Sequence, residues 1–437
     1  MHVAYIHQHF ATTRGATGTR SYEMSRRLIR AGHRVTMICG QYAAGDRAEE
    51  TVGRVSESAV DGIRVLRVAE PYGNPMSFGR RLLAFGRFAR TATKLVGRLD
   101  ADLVFATSTP LSVGIPGMKG ARRLGVPFVF EVRDLWPELA IALNVLKNPA
   151  LVWYARRLER RIYRAADRII ALAPGIRDGI CATGYRVDRV DLIPNCADLE
   201  LFRPSDELPA DERFGAASDL RLVFTGAHGL ANGLDAVLDA AAELKRRGEK
   251  GVRFVLIGQG GLKDRLMERG RREGLDSLVS WVDSVPKEEL ARILPRMDVG
   301  MMILKNVAAF YYGTSPNKFF DYLACGLPVL NNYPGWVAGL IEKHECGVVV
   351  PPDDAAAFAD AVVHLRDHRD ELPEMGRRAR KLGEERFSRD RLADQFVAVL
   401  ERAHGAHGRS PSGPDDSAVV GVPASGSTRV AGQECNA

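Results

Sequence analysis

A short segment near residue 315 combines the residue types that bind a phosphorylated ligand. It is GTSPNKFFDYLACGLPVL, and its polar members are Thr314, Ser315, Asn317, Lys318 and Asp321, with Pro316 between them. A hydroxyl residue before proline predicts the start of a helix, whose free N–H groups attract anions. The ammonium of Lys318 suits a diphosphate there, and the carboxylate of Asp321, one turn on, can accept hydrogen bonds from sugar hydroxyls. The alternative is an ordinary surface pair between Lys318 and Asp321.

A glycine-rich segment, FTGAHGLANGLDAVLDAA, lies about ninety residues earlier in the chain. Its glycines, Gly226, Gly229 and Gly233, predict a turn from a strand into a helix that opens on a cleft. Glycine turns are common, so this pattern alone does not specify a ligand. The segment LIGQGGLKDRL, with Gly258 and Gly260, predicts a similar turn.

The first loop of the chain, QHFATTRGATGTRSYEMSRRL, is a second candidate anion site. Gly18 permits close backbone approach, and Thr19 and Arg20 lie where the following helix begins, so we expect them to face an acceptor or a phosphate group. The loop is not a GxGxxG fingerprint, and a plain strand–helix turn is the alternative.

Three charged residues follow a buried strand in the segment FEVRDLWPE. Arg133, Asp134 and Glu138 would cluster at the carboxyl edge of a sheet, where catalytic groups are commonly found. We therefore take them as the catalytic candidates. A structural salt bridge is the alternative.

The elements that must position these residues alternate between strands and helices. Short apolar, β-branched runs predict strands at residues 3–6, 35–39, 63–68, 103–106, 128–132, 168–171 and 191–193, and then at 220–225, 254–257, 278–282, 299–303 and 328–331. Runs that are apolar throughout indicate parallel strands covered on both faces. The sequence therefore predicts an α/β protein with two doubly wound, Rossmann-like domains facing a cleft.

The predicted organisation has five parts. They are a first α/β domain at 1–205, a linker at 206–219, a second α/β domain at 220–387, a helix at 388–404 that packs back on the first domain, and a disordered tail at 405–437. The tail is rich in Gly, Ser, Pro and Ala and has little to bury.

The amino-acid composition limits the classes of binding partner. The net charge of +7 and pI near 9.1 favour anionic ligands or surfaces, but no nucleic-acid-binding motif accompanies the charge, so we expect no nucleic-acid partner. The opening MHVAYIHQHF lacks the layout of a signal peptide, and the six cysteines form no CxxC pair, so we expect a cytoplasmic chain with reduced thiols.

The stretch from residue 71 to residue 99 contains no acidic residue. An apolar stripe recurs at helical spacing (Phe78, Leu82, Phe85, Ala89, Ala92, Val96) beside basic residues (Arg80, Arg87, Arg90, Lys94, Arg98). This pattern predicts an interfacial helix that binds an anionic membrane surface peripherally. A docked core helix with a solvated basic face is the alternative.

Taken together, the chain resembles the family 4 glycosyltransferases of the GT-B fold over residues 1–403. The resemblance lies in IHQHF…GTRSYEMSRRLIRAGHRVTMI, FEVRDLWPE, LAPGIRDGI…DLIPNCADLELFRP, FTGAHGLANGLDAVL and SPNKFFDYLACGLPV. VRDLWPE, the GxxGxxxG turn and SPNK are most similar to the branch that includes bacterial fucosamine transferases of surface-polysaccharide assembly.

The resemblance implies retaining transfer of a hexosyl or N-acetylhexosaminyl group from a nucleotide-sugar, UDP-linked in first choice, with no metal and no other cofactor. The resemblance also implies that the domain at 1–205 binds the acceptor and the domain at 220–387 binds the nucleotide-sugar. The nucleobase would lie near residues 281–286, contacted mainly by backbone. The donor-binding residues so implied are Gly226, Gly229, Asn232, Val282, Ser315, Pro316, Asn317, Lys318 and Asp321.

Five positions depart from the family pattern. Gly313 and Asp321 stand where relatives have two glutamates, so a ribose-binding role carries over to Asp321 alone. Ala227 and Asn232 replace an arginine and a lysine, which leaves Lys318 as the substitute cation, and Arg133 replaces a histidine.

The acceptor implied by the resemblance is a polyprenyl-diphosphate-linked precursor of a polysaccharide. A soluble natural-product acceptor, a catalytically inactive GT-B binding subunit and a nucleotide-sugar epimerase are the alternatives.

Overall fold

The computed structural model describes residues 1–15, 18–42, 54–72, 76, 78–205 and 211–407. They form two α/β domains, each built on a largely parallel sheet with helices on both faces. The predicted fold class, two doubly wound Rossmann-like domains of the GT-B type, is confirmed.

The first sheet has eight strands in the order β3-β4-β2-β1-β5-β6-β7-β8. The strands are β1 (His2–Ile6), β2 (Arg34–Tyr42), β3 (Val55–Val60), β4 (Ile63–Tyr72), β5 (Leu103–Thr107), β6 (Phe128–Val132), β7 (Arg168–Ala171) and β8 (Val190–Leu192). β3 pairs antiparallel with β4, and the other pairs are parallel.

The helices of this domain connect successive parallel strands. They are α1 (Arg20–Arg30), α2 (Phe78–Val96), α3 (Gly114–Leu124), α4 (Glu138–Ala142), α5 (Pro149–Ala165) and α6 (Pro174–Ala182). α3 contacts both α2 and α5, so these three helices lie side by side on one face of the sheet, whereas α1 covers the other face.

The second sheet has six parallel strands in the order β11-β10-β9-β12-β13-β14. Its strands are β9 (Leu220–Thr225), β10 (Val252–Ile257), β11 (Val279–Val282), β12 (Val299–Met302), β13 (Val329–Asn331) and β14 (Gly347–Val349). Its helices are α7 (Asp235–Arg247), α8 (Lys263–Arg272), α9 (Lys287–Ile293), α10 (Ala308–Tyr311), α11 (Asn317–Cys325), α12 (Trp336–Lys343), α13 (Ala355–Asp367) and α14 (Leu372–Arg386).

The last described helix, α15 (Arg389–His407), returns to the first domain. Its Phe396 packs on Phe105 and Tyr5, with ring centroids 5.0 Å and 6.4 Å away. α15 also contacts α1, so these two helices share one face of the first sheet. Residues 206–210 of the predicted linker and 408–437 of the predicted tail lie outside the described residues.

The second half of the apolar stripe of α2 is not a lipid-facing surface, which corrects the sequence-based interpretation for that half. Ala89, Ala92 and Val96 are buried in the core of the first domain, together with Phe88. Leu82, near the start of the helix, is exposed, and the side chain of Phe78 lies outside the described residues. From Phe88 onward, α2 is therefore a docked helix with a solvated basic face, because its apolar residues pack on the sheet and on α3.

The order of strands places a crevice in each domain. In the first sheet the order reverses between β1 and β5, and in the second between β9 and β12. Ligands of open α/β sheets bind beyond the carboxyl ends of the strands at such a reversal. The loops after β1, β5, β9 and β12 are therefore the loops that form the site.

Candidate active site

The carboxyl edges of the two sheets meet across a cleft that several direct contacts close. The Asn195 backbone N–H donates to Ser315 Oγ at 2.9 Å, and its side-chain amide donates to the Ser315 carbonyl at 2.5 Å. Gly18 faces Asn317, since a Cβ added at Gly18 would lie 2.7 Å from Asn317 Nδ2 and 3.8 Å from Arg133 Nη2. The structure thus brings the candidates of both domains to one place.

The turn after β9 receives the side chain of Lys318. Its ammonium lies 4.0 Å from the centroid of the Phe224 ring and donates to Asn232 Oδ1 at 3.3 Å. Asn232 is held in place by its own amide, which donates to the Ala227 carbonyl at 2.6 Å. Gly226 has a φ of +136°, which favours glycine. A Cβ at this position would lie 3.2 Å from Lys318 Cε, so a larger residue would crowd the lysine side chain.

The surroundings of Lys318 disfavour the protonated, charged form of its side chain. Burial lowers the pKa of its ammonium to about 7, because the group has lost water without gaining an opposite charge. An incoming diphosphate would supply that charge. Gly226 is exposed, and its backbone borders the space beside this ammonium, since a Cβ there would lie 3.4 Å from Lys318 Nζ.

The residues before α11 do not form the predicted cap. Ser315 binds Asn195 across the cleft instead, and Thr314 Oγ1 donates to the Phe310 carbonyl at 3.1 Å. α11 begins at Asn317, and the residue at its N-cap position, Pro316, provides no side-chain cap. An uncapped first turn keeps its N–H groups and the positive end of the helix dipole for a ligand.

Asp321 does not face Lys318, although the two are one turn apart. Its carboxylate lies 3.2 Å from the ammonium of Lys287, and both side chains are largely enclosed. Burial alone would lower the pKa of Lys287, but the charges of Asp321 and Asp198 outweigh it and raise that pKa. The surface-pair interpretation with Lys318 is therefore wrong, because Asp321 is buried against Lys287. The ribose-binding role of Asp321 stays a prediction, now for a carboxylate that is paired with this lysine.

The edge expected near a nucleobase is built on Val282. Its carbonyl already accepts hydrogen bonds from Gly258 N at 3.0 Å and Lys263 Nζ at 3.2 Å. Residues 283, 284 and 286 beyond it are exposed. A nucleobase would therefore meet the exposed residues after Val282 rather than the Val282 carbonyl, which is already hydrogen-bonded.

His228 was not singled out from the sequence, yet it lies at the centre of the donor half. Its ring is fully buried, 5.9 Å from the Trp281 ring, and neither ring nitrogen has a hydrogen-bond partner among the described residues. Burial, with Lys263 and Lys318 nearby, lowers its pKa to about 4, so the ring is neutral. A lone histidine in a glycine turn gave no pattern by which to recognise this.

The acceptor half contains Arg133 and Asp134 after β6. Arg133 N donates to Ser108 Oγ at 2.9 Å, and its guanidinium lies 3.4 Å from His7 Nε2. Burial raises the pKa of Asp134, and the charge of Arg133 opposes this shift. These two groups, beside the Gly18 loop, are in a position to contact an acceptor.

His7 and His9 were also missed as site residues. His7 Nδ1 lies 2.8 Å from Ser21 Oγ, and burial first, then Arg133 and His9, holds its pKa well below the usual range. Burial and Arg133 lower the pKa of His9 to about 4. They follow β1 at the strand-order reversal, a position that only the assembled sheet reveals.

Glu138 does not join Arg133 and Asp134. It begins α4, is exposed, and forms an ion pair with Arg156 of α5 at 2.9 Å. The predicted cluster therefore loses this member, because α4 turns the side chain outward onto the protein surface.

Arg20 is a structural residue, which corrects its assignment to a phosphate loop. Its guanidinium binds Glu131 at 2.8 Å and donates to the carbonyls of Pro194 and Ile193 at 2.6 Å and 2.9 Å. It is 3% exposed and Thr19 is 5% exposed, so neither faces the cleft as a free donor. Among Gly18, Thr19 and Arg20, it is Gly18 that faces the cleft, next to Asn317.

Across the described residues, no group of three or more His, Cys, Asp or Glu side chains is arranged to hold a metal ion. Nor does any helix in that part of the chain have the length and apolarity needed to cross a membrane.

Each of the two domains matches a known protein-family model. The family model described as glycosyl transferase 4-like domain matches residues 15–196, and the model described as glycosyl transferases group 1 matches residues 219–368.

Two curated relatives differ in how much they share with the chain. The D-inositol 3-phosphate glycosyltransferase of Nocardia farcinica is 30% identical over 267 residues, which are 56% of this chain and only 58% of that protein. The GDP-mannose-dependent alpha-mannosyltransferase of Mycobacterium tuberculosis is 25% identical over 382 residues, or 86% of this chain and 91% of that protein.

Solved structures share the fold at low identity. The sucrose-phosphate synthase of Thermosynechococcus elongatus superposes with a TM-score of 0.74 at 18% identity, over 93% of this chain and 99% of that one. Anabaena HepE in complex with UDP-glucose gives 0.63 at 16% identity, over 92% of this chain and 100% of that one. With the two family models together matching more than half of its residues, the chain belongs to the family 4 glycosyltransferases of the GT-B fold.

Proposed function

We propose that this glycosyltransferase transfers a sugar, with retention of configuration, from a nucleotide-sugar to a hydroxyl group of a lipid-linked polysaccharide precursor. The observation that carries the proposal is the ammonium of Lys318, enclosed beside the Gly226 turn and the uncapped start of α11. A helix terminus supplies about half a unit charge, so a diphosphate needs this cation as well. Together they form a binding site for the departing diphosphate.

The proposed reaction breaks the bond between the anomeric carbon and the diphosphate oxygen. The acceptor oxygen bonds to the anomeric carbon, and the proton of its hydroxyl ends on the departing diphosphate. Lys318 and the N–H groups of Asn317 and Lys318 stabilise the negative charge that develops on that diphosphate. Because fixed groups perform this stabilisation, we expect the reaction to need no metal ion.

The acceptor is proposed to lie against Arg133 and Asp134, on the opposite side of the cleft. Asp134 would orient the acceptor hydroxyl or balance positive charge on the transferring sugar. Asp134→Asn should then lower kcat at least about tenfold while donor affinity changes little. Steady-state kinetics with calorimetry of donor binding checks this, and a normal kcat would assign Asp134 a structural role.

The relatives leave the donor open. One is named for GDP-mannose, and one fold neighbour contains UDP-glucose. We propose UDP-linked hexoses or N-acetylhexosamines as first candidates and GDP-linked sugars as the second, with a fold neighbour in complex with UDP-glucose supporting this order.

The test incubates the purified protein with a panel of UDP- and GDP-sugars and polyprenyl-diphosphate-linked acceptors, with and without EDTA, and identifies products by mass spectrometry. A glycosylated lipid whose new linkage has the donor's configuration supports the proposal. Transfer only to soluble acceptors would contradict the lipid-linked acceptor. Donor binding without any product would instead indicate an inactive binding subunit, and loss of turnover in EDTA would contradict metal-free transfer.

A further inference from the structure

The outer face of α5 exposes large aromatic side chains. Trp153 is 64% exposed and Tyr154 57%, and Leu151 one turn earlier than Tyr154 is 40% exposed. The opposite side of the same helix is buried through Ile162 and Tyr163. A helix that packs by one side and presents tryptophan and tyrosine on the other has the amphipathic character of a membrane-interface element.

The same outer face is strongly basic. Arg157, Arg160, Arg161 and Arg164 are all exposed along it. The guanidinium of Arg157 lies 5.7 Å from the centroid of the Trp153 ring. The one acidic residue between 149 and 165, Glu159, is buried, so it does not offset this charge at the surface.

A cavity of about 270 Å³ adjoins the C-terminal half of this face. Arg160 and Arg164 of α5 line one side of it, and Arg186 and Arg189 line the other. Arg186 is paired with Asp188, so three of these four arginines have no recorded ion pair in the described part of the chain. Several guanidinium groups around one cavity suit the phosphate of a lipid headgroup.

α2 extends the apolar part of this surface. Leu82 and Leu83, near its start, are 44% and 62% exposed. α2 and α5 flank α3 on the same face of the sheet, and both begin at the carboxyl edge where the cleft opens. The exposed apolar residues of the two helices therefore lie toward the same end of the domain.

We propose that the outer face of α5 docks on an anionic phospholipid membrane, with Trp153 and Tyr154 at headgroup level and the arginine-lined cavity holding a lipid phosphate. Charge complementarity favours this occupant: the face combines exposed arginines with aromatic rings, and a bilayer with anionic lipids offers both negative headgroups and an apolar layer. The docking surface differs from the second half of the α2 stripe, where Ala89, Ala92 and Val96 are core residues. It is also independent of which sugar is transferred.

Co-sedimentation with vesicles tests the proposal. Wild-type protein should bind vesicles that contain phosphatidylglycerol, bind pure phosphatidylcholine vesicles far more weakly, and lose affinity as salt is added. The Arg157→Glu/Arg161→Glu variant should bind the anionic vesicles at least about tenfold more weakly. Trp153→Ala/Tyr154→Ala should lose affinity several-fold while keeping the salt dependence.

The matched control reverses two exposed arginines on α8 of the other domain, Arg271→Glu/Arg272→Glu, and should bind vesicles as wild type does. Brominated phospholipids should quench the fluorescence of the wild type but quench Trp153→Phe much less. Nucleotide binding by calorimetry should be unchanged in the α5 variants, which separates docking from transfer and shows that they fold. Equal vesicle binding by the α5 variants and wild type, or equal losses in the α8 control, would overturn the proposal.

Discussion

Lys318 is the residue on which the donor site depends. Burial lowers its pKa to about 7, and its recorded hydrogen bond goes to a neutral amide oxygen of Asn232. A buried cation without a counter-charge is unfavourable in the free protein. The site is therefore arranged so that a diphosphate relieves this cost on binding.

The first prediction removes this charge. Lys318→Ala should abolish measurable turnover and weaken nucleoside diphosphate binding by about tenfold to a hundredfold, since a charge-assisted hydrogen bond contributes about 1.5–3 kcal/mol. Nucleoside binding should change little, because the proposed site brings Lys318 to the phosphates alone. Calorimetry with uridine and UDP, and with guanosine and GDP, measures the difference.

A second lysine provides the control. Asn232 lies beside Lys318, so Asn232→Lys in the Lys318→Ala background returns an ammonium to the same turn. Part of the lost diphosphate affinity should return. Equal losses for nucleoside and diphosphate in Lys318→Ala would contradict the assignment.

The second prediction concerns pH. The bound diphosphate favours the ammonium, so the pKa of Lys318 should be higher in the complex than in the free protein, where it is about 7. Affinity for a nucleotide-sugar should then be greatest below pH 7 and fall as pH rises through 7, by at most about tenfold per unit, until the pKa of the complex is reached. Titration calorimetry from about pH 6 to about pH 8.5 measures this.

Lys318→Arg is the control for this titration, since a guanidinium stays charged throughout the range. Its donor affinity should show no such fall. His228 does not contribute, because its pKa is about 4 and it remains neutral. A pH dependence identical in wild type and Lys318→Arg would refute the role of this proton.

At the scale of elements, the sequence predicted the buried parallel strands well. Strands such as Phe128–Val132 and Leu220–Thr225 are mostly apolar and are wholly buried, so their pattern identifies them. Val55–Val60 was missed, because it is a partly exposed edge strand with polar residues, VSESAV. Gly347–Val349 was missed because three residues at an edge carry little pattern.

The candidate site was predictable only where it is local in the chain. Gly226 lies in a glycine turn and Lys318 in the first turn of a helix, and neighbouring residues in the sequence predict both features. The partners of Arg20 and Asp321 could not be predicted in this way. Glu131 is 111 positions from Arg20, and Lys287 reaches Asp321 from another helix, so only tertiary packing shows that these charges are already paired.

The third prediction tests Arg20 as a link between elements. It joins the start of α1 to β6 through Glu131 and to the segment after β8 through two carbonyls. Arg20→Met leaves Glu131 buried without its cation and should destabilise the first domain by about 3–5 kcal/mol. Chemical unfolding followed by circular dichroism measures this, and nucleotide affinity of the folded protein should not change.

Arg20→Met/Glu131→Gln should recover part of that stability, because the uncompensated buried charge is then gone. A stable Arg20→Met protein with weakened diphosphate binding would restore the original assignment of Arg20 to a phosphate loop.

At the scale of the whole molecule, transfer requires the two domains to meet. Lys318 and its turn belong to one domain, whereas Arg133 and Asp134 belong to the other. Asn195 and Ser315 join the domains, as do the Gly175 N–H and the Tyr312 carbonyl at 3.2 Å. These contacts hold the proposed donor and acceptor groups close to each other across the cleft.

The last prediction concerns a methyl group added between the two domains by Gly175→Ala. Gly175 lies in the first turn of α6, where alanine is a favourable residue, but a Cβ there would lie 2.5 Å from the Tyr312 carbonyl oxygen and 2.6 Å from Tyr312 Cβ. Gly175→Ala should keep both domains folded and change donor affinity less than about threefold, since Lys318 and its turn lie wholly in the second domain. Turnover should fall by about tenfold to a hundredfold, because a shift of about 1 Å between reacting groups has that effect. Small-angle scattering should show a larger radius of gyration.

Gly86→Ala is the matched control for Gly175→Ala. A methyl group at Gly86, on a helix of the first domain, meets nothing within 4 Å, so the turnover of this variant should equal that of the wild type. Unchanged turnover in Gly175→Ala would mean that this contact is not part of the catalytically active closed form.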